Sequence, residues 1–248
     1  MRIGLLGATG RMGRRVAALA LADGHTLHAA IGHDGGEVAG VPVTTVGPGC
    51  FDGCDVVIDF SLPEALAAAL PHLGDVPLVT GTTGLSDPTA AALRAQATTA
   101  PVLAAANFST GVALLVELAR RAAAALPDYD VEITETHHRL KQDAPSGTAL
   151  ALASAVAEGR GVALDAVRRD GRTGRTGVRP VGEIGLHALR GGDVVGDHEI
   201  FLLGPGERVS LGHVATSRDT FAAGALRAAR WLVGRPPGRY SLADVLRG

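Results

Sequence analysis

A chain of 248 residues with 46% hydrophobic residues and a formal net charge of -2 is long and apolar enough to bury one large core or two modest ones, which excludes a disordered chain. Aromatic residues make up only 3%, too few for the stacking platforms of single-strand nucleic-acid binders, and the near-balanced charge offers no basic field to phosphate backbones. No run approaches the ~20 apolar residues that span a bilayer, and Met1-Arg2 leads straight into Ile3–Leu6 without a signal-like stretch. The chain is therefore read as cytoplasmic, with no membrane and no nucleic acid among its partners. Cys50 and Cys54 read as free thiols, since two cysteines without nearby histidines fall short of a metal site.

In chain order, Arg2–Leu6 reads as a short apolar strand, Gly7–Gly13 as a glycine-rich turn, and Arg14–Asp23 as a helix closed by Gly24. Leu27–Ile31, Val56–Phe60 and Pro77–Thr80 supply further strands, separated by helical segments at Pro63–Leu73 and Pro88–Ala97. Strand and helix alternating in this way predict an α/β domain with a parallel, Rossmann-like sheet. After Pro101–Ala104 comes a helix over Gly111–Leu126 and then a strand, Asp130–Thr136, whose period is two. A helix from Thr148 to about Glu158 follows, and glycine-punctuated strands between Glu183 and Val214 leave no room for crossover helices. These predict a second, α+β domain with a mostly antiparallel open sheet. The helix Asp219–Val233 is assigned back to the first domain, giving 1–108 with 219–248 for the dinucleotide and 109–218 for substrate and assembly. Arg168–Gly182, poor in apolar residues, is expected to be a mobile loop.

The turn Gly7-Ala8-Thr9-Gly10-Arg11-Met12-Gly13 lies between a strand and a helix, where glycines let the backbone approach a pyrophosphate and the helix start offers unpaired N–H groups. Its G-x-x-G-x-x-G spacing on its own also fits a tight structural turn; the strand–loop–helix setting favours a dinucleotide. The acidic residue usual at the end of the second strand, which would hold the ribose hydroxyls, is replaced here by Gly32-His33-Asp34. Asp34 is a candidate for the ribose and His33 for a 2′-phosphate, and a plain surface loop explains both equally well.

The densest chemistry is Glu135-Thr136-His137-His138-Arg139-Leu140-Lys141-Gln142-Asp143-Ala144-Pro145-Ser146-Gly147-Thr148. A Pro-Ser-Gly-Thr helix start is by itself an ordinary cap; beside two imidazoles and an ammonium it becomes a carboxylate site. His137 and His138, adjacent on an extended strand, point to opposite faces, so one metal held by both is awkward and no metal is expected.

This segment resembles the 4-hydroxy-tetrahydrodipicolinate (dihydrodipicolinate) reductase family of diaminopimelate and lysine biosynthesis. The resemblance spans nearly the whole chain, because Gly7–Gly13, Val57–Ser61, Gly81–Gly84, Ala105–Ser109 and Ser217-Arg218 stand in the family's order. It implies an NADH- or NADPH-dependent oxidoreductase, with His137 as acid/base catalyst and Lys141 as a second proton-donating, charge-stabilising group. It further implies that His138, Ser146, Gly147 and Thr148 contact a small dicarboxylate substrate. Gly81, Thr82, Thr83, Ala105, Ala106, Asn107 and Phe108 would line the nicotinamide side, and Gly7, Ala8, Thr9, Gly10, Arg11 and Met12 the phosphates. A homotetramer built through the second sheets and a hinge motion between domains are also implied. The departure at Gly32 leaves NADH against NADPH open. The alternatives are an amino-acid dehydrogenase on the same scaffold, against which the His-His to Ser-Gly-Thr segment argues, and a dinucleotide sensor, which would need neither His137 nor Lys141.

The chemistry accords with that implication. Hydride addition to a conjugated cyclic imine leaves an electron pair at the remote atom, so the reaction calls for a proton donor there and cations on the carboxylates. Histidine, with a reference pKa of ~6.5, suits the first task near neutrality.

Overall fold

A computed structural model describes residues 1–33 and 35–248. They fall into two compact units, Met1–Thr110 with Asp219–Gly248, and Gly111–Arg218. In chain order the first unit contains β1 (Arg2–Leu6), α1 (Arg11–Ala22), β2 (Thr26–Ile31), β3 (Glu37–Val38), β4 (Val41–Thr44), β5 (Val56–Asp59), α2 (Pro63–Ala69), β6 (Leu78–Thr80), α3 (Asp87–Gln96) and β7 (Pro101–Ala104). The second contains α4 (Thr110–Ala125, its first residue in the first unit), β8 (Asp130–His137), α5 (Gly147–Arg160), α6 (Leu164–Val167), β9 (Arg168–Asp170), β10 (Ile184–Arg190), β11 (Gly196–Gly204) and β12 (Glu207–Ala215). The chain then returns to the first unit with α7 (Asp219–Leu232), β13 (Gly238–Tyr240) and α8 (Leu242–Arg247).

The first unit is built on a sheet of order β13-β7-β6-β5-β1-β2-β4-β3. All its pairings are parallel except the β3–β4 edge. Ile3, Leu5, Val56, Val57, Ile58, Leu78 and Val79 are fully buried, the continuous apolar runs expected of strands covered on both faces. α1 turns Gly13, Val16, Ala17 and Ala20 inward, a single stripe at helical spacing. The chain leaves β1 toward β2 on one side and returns to β5 on the other, so the strand order reverses at β1/β5, where open α/β sheets form their ligand crevice. The edge hairpin, β13 and α8 go beyond the elements read from sequence. β3 is two residues in a run where Gly35, Gly36 and Gly40 all have positive φ, β4 contains Pro42, and β13 is three residues long, too short for a period to register.

The second unit's sheet has the order β12-β11-β8-β10-β9. It is mixed rather than mostly antiparallel: β8–β11 and β11–β12 are antiparallel, β8–β10 and β10–β9 parallel. The required crossover lies before the glycine-punctuated stretch, because α5 stands between β8 and β10 in sequence and packs on both. Val131, Ile133, Ile184, Leu186, Ile200 and Leu202 of the sheet meet Leu152 and Val156 of α5 in one buried core. Arg168–Gly182 is not a free loop. It opens with β9, and its arginines bind β8: Arg179 reaches Asp130 Oδ1 at 2.6 Å, Glu132 Oε1 at 2.9 Å and the Val131 carbonyl at 3.0 Å. Arg172 donates to both Glu132 oxygens at 2.9 and 2.8 Å and also to Glu183. Burial alone would raise the Glu132 pKa, but these guanidiniums and His187 overturn it and hold the group at about 2.

Candidate functional site

In the first unit a cavity of about 620 Å³ opens at the β1/β5 switch point, lined by Gly7, Thr9, Gly10, Gly32 and His33 together with Thr45, Val46, Phe60–Leu62, Ala65 and Ala68. Gly7 has φ +79° and a Cβ there would sit 2.6 Å from the Phe60 carbonyl oxygen, so only glycine lets the turn pass this close to the β5 end. At Gly13 a Cβ would meet the Gly7 oxygen at 2.2 Å, which seats α1 directly against the turn. Gly10, the residue before α1, makes no side-chain cap, so the first N–H groups of α1 remain for an anion. The volume and the uncapped helix start fit the adenosine and pyrophosphate of a dinucleotide.

The other sequence-derived cofactor residues are distributed as follows. Ala8 is fully buried and Arg11 exposed, while Arg14, not singled out from sequence, donates to the Thr9 carbonyl at 3.0 Å. A Cβ at Gly32 would stand 3.1 Å from Thr9 Oγ1 and 3.2 Å from Val43, so this strand end has little room for the side chain it lacks. His33 lines the cavity; Asp34 lies outside the described residues. Gly81–Thr83 and Ala105–Phe108 follow β6 and β7, whose ends are in register with the end of β5 through Asp59, Thr80 and Ala104. The Phe60 ring covers Gly81, where a Cβ would be 2.5 Å from it, and packs edge-on against Phe108 at 5.4 Å. Phe108 is itself 1% exposed, and its ring supports Phe60. Asn107 Oδ1 accepts from the Ser109 N–H at 2.8 Å.

In the second unit the period-two face of β8 ends on a charge. Val131, Ile133 and Glu135 all turn inward, and Glu135 is 1% exposed. Its carboxylate is met on every side. His137 Nδ1 lies 2.5 Å from Oε2, Arg190 donates to both oxygens at 2.7 and 2.8 Å, and the Ser146 N–H donates to Oε1 at 3.0 Å. Burial pushes the Glu135 pKa up, and the Arg190, His137 and Ser146 contacts more than reverse it, leaving it below the ordinary carboxylate value. An ionised Glu135 is acceptor-only, so Nδ1 of His137 carries the proton and Nε2 is the nitrogen left for exchange. A Cβ at Gly196 would come 3.0 Å from that Nε2, so glycine at the start of β11 makes room for the ring.

Ser146 is 2% exposed. Its hydroxyl caps α5 by accepting from the Ala149 N–H at 3.1 Å and stands 3.1 Å from His198 Nε2, so this side chain is committed inward. Gly147, the first residue of α5, is exposed, with open space in its Cβ direction. Lys141 Nζ is held by Asp143 at 2.8 and 2.9 Å, and that ammonium lowers the Asp143 pKa. Arg190 also donates to the Asp143 carbonyl at 2.7 Å, tying the Lys141 loop to the Glu135 clamp. His138 turns away from His137: its Nε2 is 3.4 Å from Arg218 Nη2 and its Nδ1 is buried without a partner. Among the described residues no group of three or more His, Cys, Asp or Glu is arranged to hold a metal; Cys50 and Cys54 are unbridged.

His198, which sequence reasoning did not single out, packs edge-on against His137 at 5.2 Å. Burial, with the His137 charge adding to it, lowers its pKa from 6.5 to about 4. The unfolded chain therefore takes up this proton first. The contribution of the neutral ring to stability is complete above pH 6.5 and lost as pH falls through about 4. That difference is worth about 3 kcal/mol at 1.36 kcal/mol per pK unit. Urea unfolding at pH 7 and pH 4 should show His198→Gln losing less stability on acidification than the parent, by roughly that amount. Equal losses in the two proteins would contradict a buried neutral imidazole.

A family model described as dihydrodipicolinate reductase, N-terminus, matches residues 1–108, and one described as dihydrodipicolinate reductase, C-terminus, matches residues 111–246. Curated relatives named 4-hydroxy-tetrahydrodipicolinate reductase include one from Thiobacillus denitrificans, 47% identical and covering 99% of this chain and 98% of its own. Another, from Roseobacter denitrificans, is 46% identical and covers 99% and 97%. Among solved structures, dipicolinate-bound dihydrodipicolinate reductase from Paenisporosarcina sp. TG-14 superposes with a TM-score of 0.75 over 97% of both chains at 23% identity, a likeness of fold.

Proposed function

The chain belongs to the dihydrodipicolinate reductase family, and from that premise we propose that it reduces 4-hydroxy-tetrahydrodipicolinate to tetrahydrodipicolinate with NADH or NADPH, a step of diaminopimelate and lysine biosynthesis. The observation that carries the reading to this chain's own residues is the Glu135–His137 pair beside the Ser146-capped start of α5.

Cofactor binding is assigned to the first unit and substrate binding to the second. When bound, the reduced nicotinamide supplies a hydride; the other reactants are one proton and a substrate that loses its hydroxyl as water. The residues of the second unit manage the proton and the charge. His137 gives the proton from Nε2, the nitrogen that Glu135 leaves free, and Arg190 keeps Glu135 ionised and in place. The start of α5 at Gly147 and Thr148 receives one carboxylate at the positive end of the helix. Lys141, released from Asp143 by a competing substrate carboxylate, and His138 beside Arg218 hold the rest. Ser146 contributes by capping α5, which fixes where that helix start points. Gly7–Met12 hold the pyrophosphate, and Gly81–Thr83 with Ala105–Asn107 line the nicotinamide end.

We assign the protein to the cytoplasm as a homotetramer. Among the described residues no helix is long and apolar enough to cross a membrane. The β-sheet of the second unit leaves Leu189, Leu203 and Val214 at 51%, 39% and 64% exposure, apolar surface of the kind that self-association covers.

Loose cofactor preference is expected, because Gly32 supplies no carboxylate to repel a 2′-phosphate and His33 offers only a conditional charge. The ratio of kcat/KM for NADPH and NADH should stay within about a hundredfold, or ~2.7 kcal/mol; a larger ratio would overturn it. The function itself is tested by supplying the product of the preceding aldol condensation, pyruvate plus aspartate semialdehyde, and following reduced-cofactor absorbance. Rapid oxidation is expected. Oxidation with amino-acid or keto-acid substrates alone would select a dehydrogenase on this scaffold, and binding without turnover a sensor.

A further inference from the structure

Asp59, the last residue of β5, is a carboxylate with 0% exposure that the mechanism above does not use. Four donors converge on its two oxygens. Oδ1 accepts from the Ser61 N–H at 2.9 Å and the Ser61 hydroxyl at 2.5 Å, and Oδ2 from the hydroxyls of Thr80 at 2.6 Å and Thr82 at 2.8 Å. This is the arrangement an ionised, acceptor-only carboxylate calls for. Among the described residues no Lys, Arg or His forms an ion pair with it, so hydroxyl and amide dipoles solvate the charge and no counter-ion cancels it.

A buried charge without a counter-ion is costly, and three neutral hydroxyls with one amide are an expensive way merely to pin two loops. Valine or asparagine pairs would hold the strand ends without a charge. What distinguishes the site is its place at the carboxyl end of the sheet, directly beneath the turn that begins at Gly81 and beside Ser61 of the cavity wall.

We propose that Asp59 is a positioning residue for charge: its buried carboxylate, held by Ser61, Thr80 and Thr82, favours the oxidised, cationic form of a bound nicotinamide over the neutral reduced form and so eases hydride release. The proposal rests on the assignment of Gly81–Thr83 to the nicotinamide end. The reduced ring is neutral and becomes a cation when it gives up hydride, two electrons and a proton together, so a fixed negative charge nearby stabilises the product side. Its reach in a protein interior is long, since at an effective dielectric constant of about 20 two unit charges a nanometre apart still change an equilibrium by about tenfold.

The experiment measures the dissociation constants of NAD⁺ and NADH separately, by calorimetry and by cofactor fluorescence, on the full chain and two variants. In Asp59→Asn the ratio Kd(NAD⁺)/Kd(NADH) should rise by about tenfold. In Thr80→Val, an isosteric change that keeps the carboxylate but removes one dipole solvating it, the ratio should fall. Opposite movements cannot come from loosened loops, which would weaken both forms alike. If Asp59→Asn fails to fold, as judged by circular dichroism, Thr80→Val alone decides by the sign of its shift. A ratio unchanged in the folded variants would overturn the proposal while leaving the cofactor site intact. Failure of the parent chain to bind either form would instead overturn the assignment on which it rests.

Discussion

Replacing His137 with glutamine is expected to lower kcat by ~10²–10⁴-fold, the usual contribution of a general acid/base, while cofactor affinity stays little changed. Glutamine retains an N–H able to reach the Glu135 carboxylate, 2.5 Å from Nδ1 in the parent, but offers no exchangeable proton where Nε2 stood. The loss therefore falls on proton delivery and not on the packing of β8. Cofactor affinity is the control, because Gly7–Gly10 and the cavity belong to the other unit. Steady-state kinetics with saturating cofactor, paired with fluorescence titration of NADH, read the two quantities separately. A kcat within a few-fold of the parent would remove His137 from the proton-transfer role.

Lys141→Ala should raise the substrate KM and lower kcat together. In the structure its ammonium, on a side chain 19% exposed, is bound to Asp143, whose carboxylate is 64% open to solvent, so water screens the pair from that side. The ion pair is therefore weak enough for a substrate carboxylate to displace it. An interaction made with the carboxylate in the ground state and strengthened as charge develops contributes to both constants. Lys141→Arg keeps the charge but brings a planar fork to a place that holds a compact ammonium, so it should restore activity only in part. Unchanged KM and kcat in Lys141→Ala would place the residue outside the site.

The parts of the fold read from sequence are those written locally. The strand, glycine turn and helix at the N-terminus are contiguous, and the turn stands where Gly7 and Gly13 leave no space for a Cβ. The period of two in β8 is likewise local, and in the structure it turns Val131, Ile133 and Glu135 to one face. What the sequence could not show is pairing over long separations. Arg190 reaches Glu135 across 55 residues and His198 reaches Ser146 across 52, and both contacts exist only because β10 and β11 flank β8. The same topology made the second sheet mixed, since its crossover helix lies upstream of the strands that seemed to lack one. Thr45, Val46, Ala65 and Ala68 of the cavity wall follow β4 or lie on α2 and carry no motif. In Arg168–Gly182 a count of apolar residues suggested mobility, whereas the anchoring is ionic, through Arg172 and Arg179.

The hydride itself can be followed from cofactor to product. Cofactor deuterated at both positions of the nicotinamide C4 is supplied with the aldol condensation product, and the dicarboxylate formed is analysed by mass spectrometry. One deuterium is expected in tetrahydrodipicolinate for each cofactor oxidised, with the label absent from solvent. Cofactor oxidation that leaves the dicarboxylate unlabelled, or no oxidation while the cofactor binds, would contradict the proposed reduction.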